Sequence, residues 1–131
     1  GIDSFEELLP LIDYLVLALP DSPQTRDMIN QDVLKKLNNS AMLVNVGRGT
    51  AINEHDLSNA LNNKEIAAAA LDTTKIEPLE ISSPLWSSVN CFISAHDSAH
   101  SLLSIPRAFN LFAENIQNIK DGNSIKNLYS E

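Results

Sequence analysis

Side chains that often act together in catalysis follow three successive apolar runs of this 131-residue chain. In chain order they are Arg48, Asp72 with Glu77, and His96. An arginine grips a carboxylate through two parallel hydrogen bonds, and a histidine exchanges protons near neutral pH. If the apolar runs are parallel strands, these groups meet at the sheet edge where open α/β sheets bind ligands. The spacing therefore predicts a catalytic constellation.

A simpler interpretation exists for each of these residues taken alone. The segment Gly47-Arg48-Gly49 is compatible with a tight turn that carries a solvated charge. A single histidine at a strand end, such as His96, more often makes a structural hydrogen bond than it catalyses a reaction. Because all three groups occur at successive strand ends, the catalytic interpretation is favoured.

The composition narrows the classes of partner. A formal net charge of −8 and a pI near 4.7 argue against nucleic acids and membrane surfaces, which both require a basic face. The lone Cys91 excludes an internal disulfide and suits a reducing cytoplasm. The opening residues do not predict a secretory leader, and no apolar run approaches membrane-spanning length. We therefore expect a cytoplasmic α/β domain.

Apolar periodicity predicts the strands that would position the candidate residues. Strands are expected near residues 14–19, 42–46, 66–71 and 91–95. The first run is continuously apolar, as is typical of a strand buried on both faces. The third contains four alanines, which favour helix by propensity, but we expect a strand there because small residues let a helix layer approach a sheet closely.

Helices are expected between these strands, over residues 4–11, 31–37 and 54–62. Asp3 or Ser4 would cap the first helix, and Asn53 with Asp56 forms a capping pattern at the third. We predict a parallel sheet with helices on both faces and right-handed crossovers.

The last segment has helical rather than strand periodicity. Five large apolar residues form one stripe at helical spacing: Ile105, Phe109, Phe112, Ile116 and Ile119. Gly122 then supplies a helix stop. Such a stripe is almost always core or interface, so we expect this long C-terminal helix to require a partner surface.

Six short segments, in order, carry a family resemblance. They are residues 17–25, 43–49, 70–72, 77–78, 83–86 and 93–96. Together they resemble the D-2-hydroxyacid dehydrogenase family over nearly the whole chain, from about Ser4 to Leu128. The resemblance implies that residues 1–131 are the C-terminal part of an NAD(P)-binding Rossmann domain. The implied fold is a parallel-sheet half domain of about four strands.

The resemblance also implies roles for the catalytic candidates. Hydride would pass between NAD(P) and a 2-hydroxy/2-oxo acid in an NAD(P)-dependent dehydrogenase. By the family pattern, His96 is the acid/base, and Glu77 favours its imidazolium form and fixes its tautomer. Arg48 matches the residue that binds the substrate carboxylate and polarises the carbonyl group.

Cofactor contacts follow from the same resemblance. Asp72 would meet the nicotinamide carboxamide, and the full set comprises Leu19, Pro20, Thr25, Val46, Gly47, Arg48, Asp72, His96, Ser98 and Ala99. The four glycines of the chain cannot form the G-x-G-x-x-G phosphate loop. We therefore expect a fragment without the fingerprint half or the substrate domain, which by itself binds NAD or NADP weakly and is inactive.

Some residues depart from the family pattern. Ala95 stands where proline usually precedes the catalytic histidine, Thr73 replaces a commoner valine, and Asp97-Ser98 replaces small or apolar residues. Asp97 places a second carboxylate near His96. These changes motivate the alternative that the chain is an inactive nucleotide-sensing or assembly module of the same fold.

Two further site interpretations are disfavoured. His96 and His100 are four residues apart but are expected before the helix, so the spacing does not predict a metal site. Cys91 has apolar neighbours, which disfavours a nucleophile, and His55 is expected to be solvated. The expected partners are a small hydroxy acid and either a second copy or a chain that supplies the missing half, because strand 14–19 would be an unpaired edge.

Overall fold

The computed structural model describes residues 5–128, which fall into two compact units. The first unit ends at Ser98 and the second begins at Ala99. The proposed caps Asp3 and Ser4 lie outside the described residues. No helix in residues 5–128 is long and apolar enough to cross a membrane.

The first unit is built on one sheet of four parallel strands. Its helices are α1 Phe5–Leu8, α2 Gln31–Leu34 and α3 Glu54–Asn62. Its strands are β1 Tyr14–Leu17, β2 Met42–Asn45, β3 Ala68–Leu71 and β4 Cys91–Ile93, and short 3-10 helices cover Leu9–Leu11, Gly49–Ala51 and Pro84–Ser87. The strands lie in sequence order across the sheet, β1-β2-β3-β4. All four predicted strands are confirmed as parallel, although each is shorter than expected.

The alanine-rich segment forms a central strand despite its helical propensity. Ala69 pairs with Leu43 of β2 on one side and with Cys91 of β4 on the other. Strand β3 thus pairs with a neighbour on each side, and tertiary context of this kind overrides the weak local preference of alanine. The prediction of a strand here is confirmed.

One face of the sheet carries the core. Leu17, Leu43 and Ala69 are buried in one cluster with apolar residues of the helices, such as Leu34 of α2 and Leu57 of α3. Burial of each leucine side chain stabilises the fold by about 1.5–3 kcal/mol relative to exposure. This cluster fixes the sheet beneath the loops that follow its strands.

The opposite face is largely open, contrary to the prediction of helices on both faces. Tyr14 and Phe92 are 68% and 79% exposed there, and Val16 is also exposed. The prediction that the first strand is buried on both faces is therefore wrong as well. A right-handed crossover returns on a fixed side for a given direction of advance. When strands follow in sequence order, all such connections fall on one face.

Side-chain caps set the starts of α2 and α3. The Asn53 side chain accepts a hydrogen bond from the Asp56 amide, as the sequence predicted for α3, whose bounds match the expected range. The Asp56 carboxylate instead accepts from the Gln31 amide at 2.9 Å, which ties the two helix starts together. Helix α2 is capped by Asn30 and is shorter than predicted, because tight turns follow Leu34.

The second unit contains one long helix, α4 Ser104–Lys120. The predicted apolar stripe is confirmed on it, but every residue of the stripe is exposed or nearly so, with Ile105 at 81%. Gly122 follows with φ of +70°, a left-handed conformation that glycine adopts without strain and that ends the helix as predicted.

Candidate active site

The loops that follow the four strands carry the candidate residues. Parallel strands place their carboxyl ends at one edge of the sheet, so these loops are neighbours there. After β1 come Leu19, Pro20 and Thr25; after β2, Val46, Gly47 and Arg48; after β3, Asp72 and Glu77; and after β4, His96 and Ser98. Ala99 begins the second unit and is not placed with them.

Close backbone packing explains the two glycines beside Arg48. A Cβ on Gly47 would lie 2.7 Å from the backbone N and O of Leu19. A Cβ on Gly49 would lie 2.0 Å from the carbonyl carbon of Thr74. Only glycine permits these approaches, so the loop after β2 is held tightly between the loops after β1 and β3.

Asn45 organises the same loop from within the core. It is the last residue of β2 and is fully buried. Its Oδ1 accepts from the Gly47 amide at 3.0 Å, and its Nδ2 donates to the Arg48 carbonyl at 3.1 Å. Asn45 has no predicted role among the candidate residues. The signal was available, since Asn45 is the one polar residue of the apolar run 42–46.

The loop after β1 is tied to the loop after β2 by polar contacts. Thr25 Oγ1 donates to the Pro20 carbonyl at 2.8 Å and closes the turn. Asp21 accepts two hydrogen bonds from Arg26 and one from Thr50. The Arg26 and Thr50 hydrogen bonds lower the pKa of Asp21, and the charges of Arg26 and Arg48 act in the same direction.

Glu77 and His96 form a hydrogen-bonded pair. The distance between His96 Nδ1 and Glu77 Oε2 is 2.8 Å, which confirms the prediction that these side chains reach hydrogen-bonding distance. The other oxygen of Glu77 accepts from the Thr74 amide at 3.1 Å. Glu77 is therefore oriented by its own loop as well as by the histidine.

The environment of Glu77 favours its ionised form. The His96 side chain and then the Thr74 amide lower the pKa of Glu77 by hydrogen bonding, and the charge of Arg48 lowers it further. Arg48 is exposed on the neighbouring loop, and its Nη1 donates to the Gly47 carbonyl at 3.0 Å. The electrostatic effect of Arg48 reaches Glu77, although no direct hydrogen bond joins them among the described residues.

Asp72 binds the segment that contains His96. Its carboxylate accepts from Ser94 Oγ at 2.7 Å and from the Asp97 and Ser98 amides at 3.1 and 3.0 Å. Hydrogen bonds from the Ser98 and Ser94 side chains, and then from the two amides, hold the pKa of Asp72 well below its ordinary value. The sequence does not predict this contact, because it joins residues 22 to 26 positions apart.

A cavity of about 590 Å³ opens beside the pair. Polar groups at its wall include Asp72, Glu77 and His96, whereas the apolar wall is formed by Pro78, Leu79, Trp86 and Ile93. Arg48 is not among the described residues that line it. The apolar wall was missed in the sequence, where Trp86 and Pro78 served only to carry the family resemblance.

Comparison with known proteins shows the family of this chain. The family model described as "D-isomer specific 2-hydroxyacid dehydrogenase, NAD binding domain" matches residues 1–98. The chain belongs to this family. Its four-stranded parallel sheet is accordingly the Rossmann-like fold that the resemblance implied.

Glyoxylate and hydroxypyruvate reductases are among the similar 2-hydroxyacid dehydrogenases. One from Homo sapiens is 36% identical over 115 residues, or 84% of this chain and 35% of that protein. The chain spans between 32% and 37% of the length of the first curated relatives that it matches.

Solved 2-hydroxyacid dehydrogenases share the fold along almost the whole chain. A structure from Xanthobacter autotrophicus Py2, in complex with NADPH and MES, has a TM-score of 0.88 and 32% identity, covering 99% of this chain and 53% of that chain. An NADPH-dependent glyoxylate/hydroxypyruvate reductase from Sinorhizobium meliloti, with NADP and sulfate, has a TM-score of 0.88 and 26% identity, covering 98% of this chain and 42% of that chain.

Cys91 and His55 were disfavoured as site residues from the sequence. Burial, and then the charge of Glu54, raises the pKa of the Cys91 thiol to about 11, which suppresses the nucleophilic thiolate. His55 is exposed on α3, as expected. Neither residue contacts the Glu77–His96 pair of this 2-hydroxyacid dehydrogenase domain through a hydrogen bond in the described residues.

Proposed function

We propose that the chain is the C-terminal part of the NAD(P)-binding domain of an oxidoreductase. The enzyme would transfer hydride between NAD(P) and a 2-hydroxy/2-oxo acid. The observation that carries the proposal is the 2.8 Å hydrogen bond between His96 Nδ1 and Glu77 Oε2 beside the cavity. Family membership supplies the reaction class, and the glyoxylate and hydroxypyruvate reductases among the relatives supply the candidate substrates.

His96 would exchange the proton of the reaction through Nε2. The Glu77 carboxylate, ionised above its lowered pKa, only accepts hydrogen bonds, so Nδ1 of His96 carries the proton that joins them. Nε2 is then the nitrogen left for the substrate. It would donate a proton to the carbonyl oxygen as hydride reaches the adjacent carbon, and recover one in the reverse direction.

Arg48 would bind the substrate carboxylate. Its guanidinium is permanently charged and offers two parallel donors to a carboxylate. The support from this chain is its place at the sheet edge and its electrostatic effect on Glu77. The same charge would stabilise negative charge that develops on the carbonyl oxygen.

The residues present fit the nicotinamide side of a cofactor. A bound nicotinamide supplies or accepts the hydride. Asp72 is ionised and lines the cavity beside His96. Its carboxylate can accept a hydrogen bond from the amide NH2 group of a nicotinamide. Backbone at Leu19-Pro20 and Val46-Gly47, with Thr25, Ser98 and Ala99, completes the proposed contacts. We expect weak binding of NAD or NADP by this chain alone, because it contains no G-x-G-x-x-G sequence.

The test is turnover by the longest natural polypeptide that contains this chain. With NADPH or NADH and with glyoxylate or hydroxypyruvate, His96→Ala should lower kcat by roughly 10²–10⁴-fold. Arg48→Ala should lower it by roughly 10²–10³-fold. His55→Ala removes an exposed imidazole from α3 and should leave kcat unchanged. Wild-type turnover in the His96 or Arg48 variant would reject the assignment.

A second candidate is an inactive nucleotide-sensing or assembly module. The exposed Asp97 side chain beside His96 and the open apolar sheet face favour it. Such a module would bind NADPH in the longer polypeptide without oxidising it in the presence of any 2-oxo acid. Assembly would occur as a homodimer or with a chain that supplies further strands.

A further inference from the structure

We propose that Asp72 is a positioning residue for His96, because its carboxylate holds the segment 94–98 in the shape that turns Nδ1 toward Glu77. The inference rests on the proposed role of His96 as acid/base. It concerns the protein side of the site, and it is separate from any contact that Asp72 makes with a cofactor.

The groups that donate to Asp72 lie on both sides of His96 in the chain. Ser94 Oγ lies two residues before the histidine, and the Asp97 and Ser98 amides lie one and two residues after it. Asp72 is itself fixed at the end of β3, since it is 6% exposed and its amide donates to the Asn45 carbonyl at 2.9 Å. The fixed Asp72 carboxylate therefore holds the segment 94–98 on both sides of His96. We call this set of hydrogen bonds the Asp72 clamp.

The backbone of His96 needs such support. Its φ is +55°, in the left-handed region that residues with a Cβ adopt only at a cost. Strained conformations persist where surrounding contacts determine them, and they cluster at functional sites. The hydrogen bonds to Asp72 on either side of His96 supply that determination.

Glu77 is held independently of this clamp. Its Oε1 accepts from the Thr74 amide, and its loop begins beyond Asp72. Loss of the clamp should therefore displace the histidine and leave the carboxylate in place. The imidazole is the group to observe, and the state of its Nδ1 reports whether it still faces Glu77.

The experiment is nitrogen-15 NMR of this 131-residue chain with labelled histidine, at a pH above the imidazole titration. The three histidines are assigned by His55→Gln, His96→Gln and His100→Gln. In the wild type, His96 should appear as the Nδ1–H tautomer, since Nδ1 donates to an ionised carboxylate. Glu77→Gln should reduce this tautomer and serves as the direct break of the pair.

Asp72→Asn and Ser94→Ala should reduce the Nδ1–H population of His96 toward that of the exposed His55, with the larger change in Asp72→Asn. Ser82→Ala makes the same chemical change as Ser94→Ala in an exposed loop and should leave the His96 signal at its wild-type position. Ser94→Ala removes one hydroxyl from an exposed residue, so it decides the question if Asp72→Asn does not fold. Wild-type His96 shifts in folded Ser94→Ala would overturn the proposal. Because no cofactor or substrate is used, this result is independent of turnover.

Discussion

The charge of Glu77 couples the site to pH. Its folded-state pKa is lowered, chiefly by the His96 hydrogen bond, so its contribution to stability is present above the unfolded-state pKa. That contribution is lost as pH falls through the folded-state pKa. We predict that Glu77→Gln lowers the free energy of unfolding near neutral pH, and that the difference shrinks as pH falls below the unfolded-state pKa and through the lowered folded-state pKa. Urea denaturation across this range checks it, and a pH-independent difference would contradict it.

Asn45 gives a residue-scale prediction about stability. Asn45→Ala removes the acceptor of the buried Gly47 amide, whereas the Arg48 carbonyl loses one donor and keeps the Ala51 amide. An unsatisfied buried group costs about 1–3 kcal/mol, so we expect a loss of that size in the free energy of unfolding. Asn59→Ala, on the exposed side of α3, is the matched control and should change stability by less than about 0.5 kcal/mol. Equal effects would exclude the bridging role.

At the scale of elements, the sequence predicted what depends on local pattern. Helix α3 matched its expected range because its start depends on a local contact, in which the Asn53 side chain caps the Asp56 amide. The positions of the four strands along the chain followed from the apolar runs. The covered face of the sheet did not follow, since an apolar run such as 14–19 does not show whether one face or both faces of its strand are covered. Strand order across the sheet decides between them, and strand order depends on long-range pairing.

The site divides in the same way. The positions of Glu77 and His96 after their strands, together with the family resemblance, predicted a pair that the structure brings to 2.8 Å. The Asp72 clamp and the fit of Gly49 against Thr74 are contacts between loops far apart in sequence. No spacing rule within one segment encodes them. The approach of Arg48 to a substrate stays a prediction.

Gly49 provides a prediction at the element scale. A Cβ at this position would meet the backbone of Thr74, which cannot rotate away as a side chain can. Gly49→Ala should force the loops after β2 and β3 apart and cost at least about 1–3 kcal/mol of stability. It should also weaken the Glu77–His96 hydrogen bond, because the Thr74 amide orients the Glu77 carboxylate. The His96 tautomer measures the second effect.

Gly122→Ala is the contrasting variant. An added Cβ there meets open space, although φ of +70° strains any residue other than glycine. We expect a cost of about 1–2 kcal/mol at the end of α4 and no change at His96. If both variants altered the His96 tautomer equally, the effect of Gly49→Ala would be general destabilisation and not displacement of one loop.

For the whole molecule, two apolar surfaces remain uncovered in the described residues. In the first unit, the open sheet face carries Tyr14, Val16 and Phe92, and β1 is an edge strand that pairs with β2 alone. In the second unit, α4 exposes its apolar stripe. Edge strands and large apolar patches recruit partners unless charge or another element protects them. Between Asp13 and Pro20 the sequence supplies no charge.

We therefore predict that the 131-residue chain self-associates. Light scattering should show a dimer or larger assembly whose mass rises with protein concentration, despite the net charge of −8. Val16→Lys places a charge on the open face at β1, and Phe109→Asp places one in the stripe of α4. The variant that shifts the mass toward the monomer identifies the surface in use. His55→Lys, on the exposed side of α3, controls for added charge alone. A wild-type monomer at millimolar concentration would refute the prediction, because an unprotected edge and stripe of this kind should then find a partner.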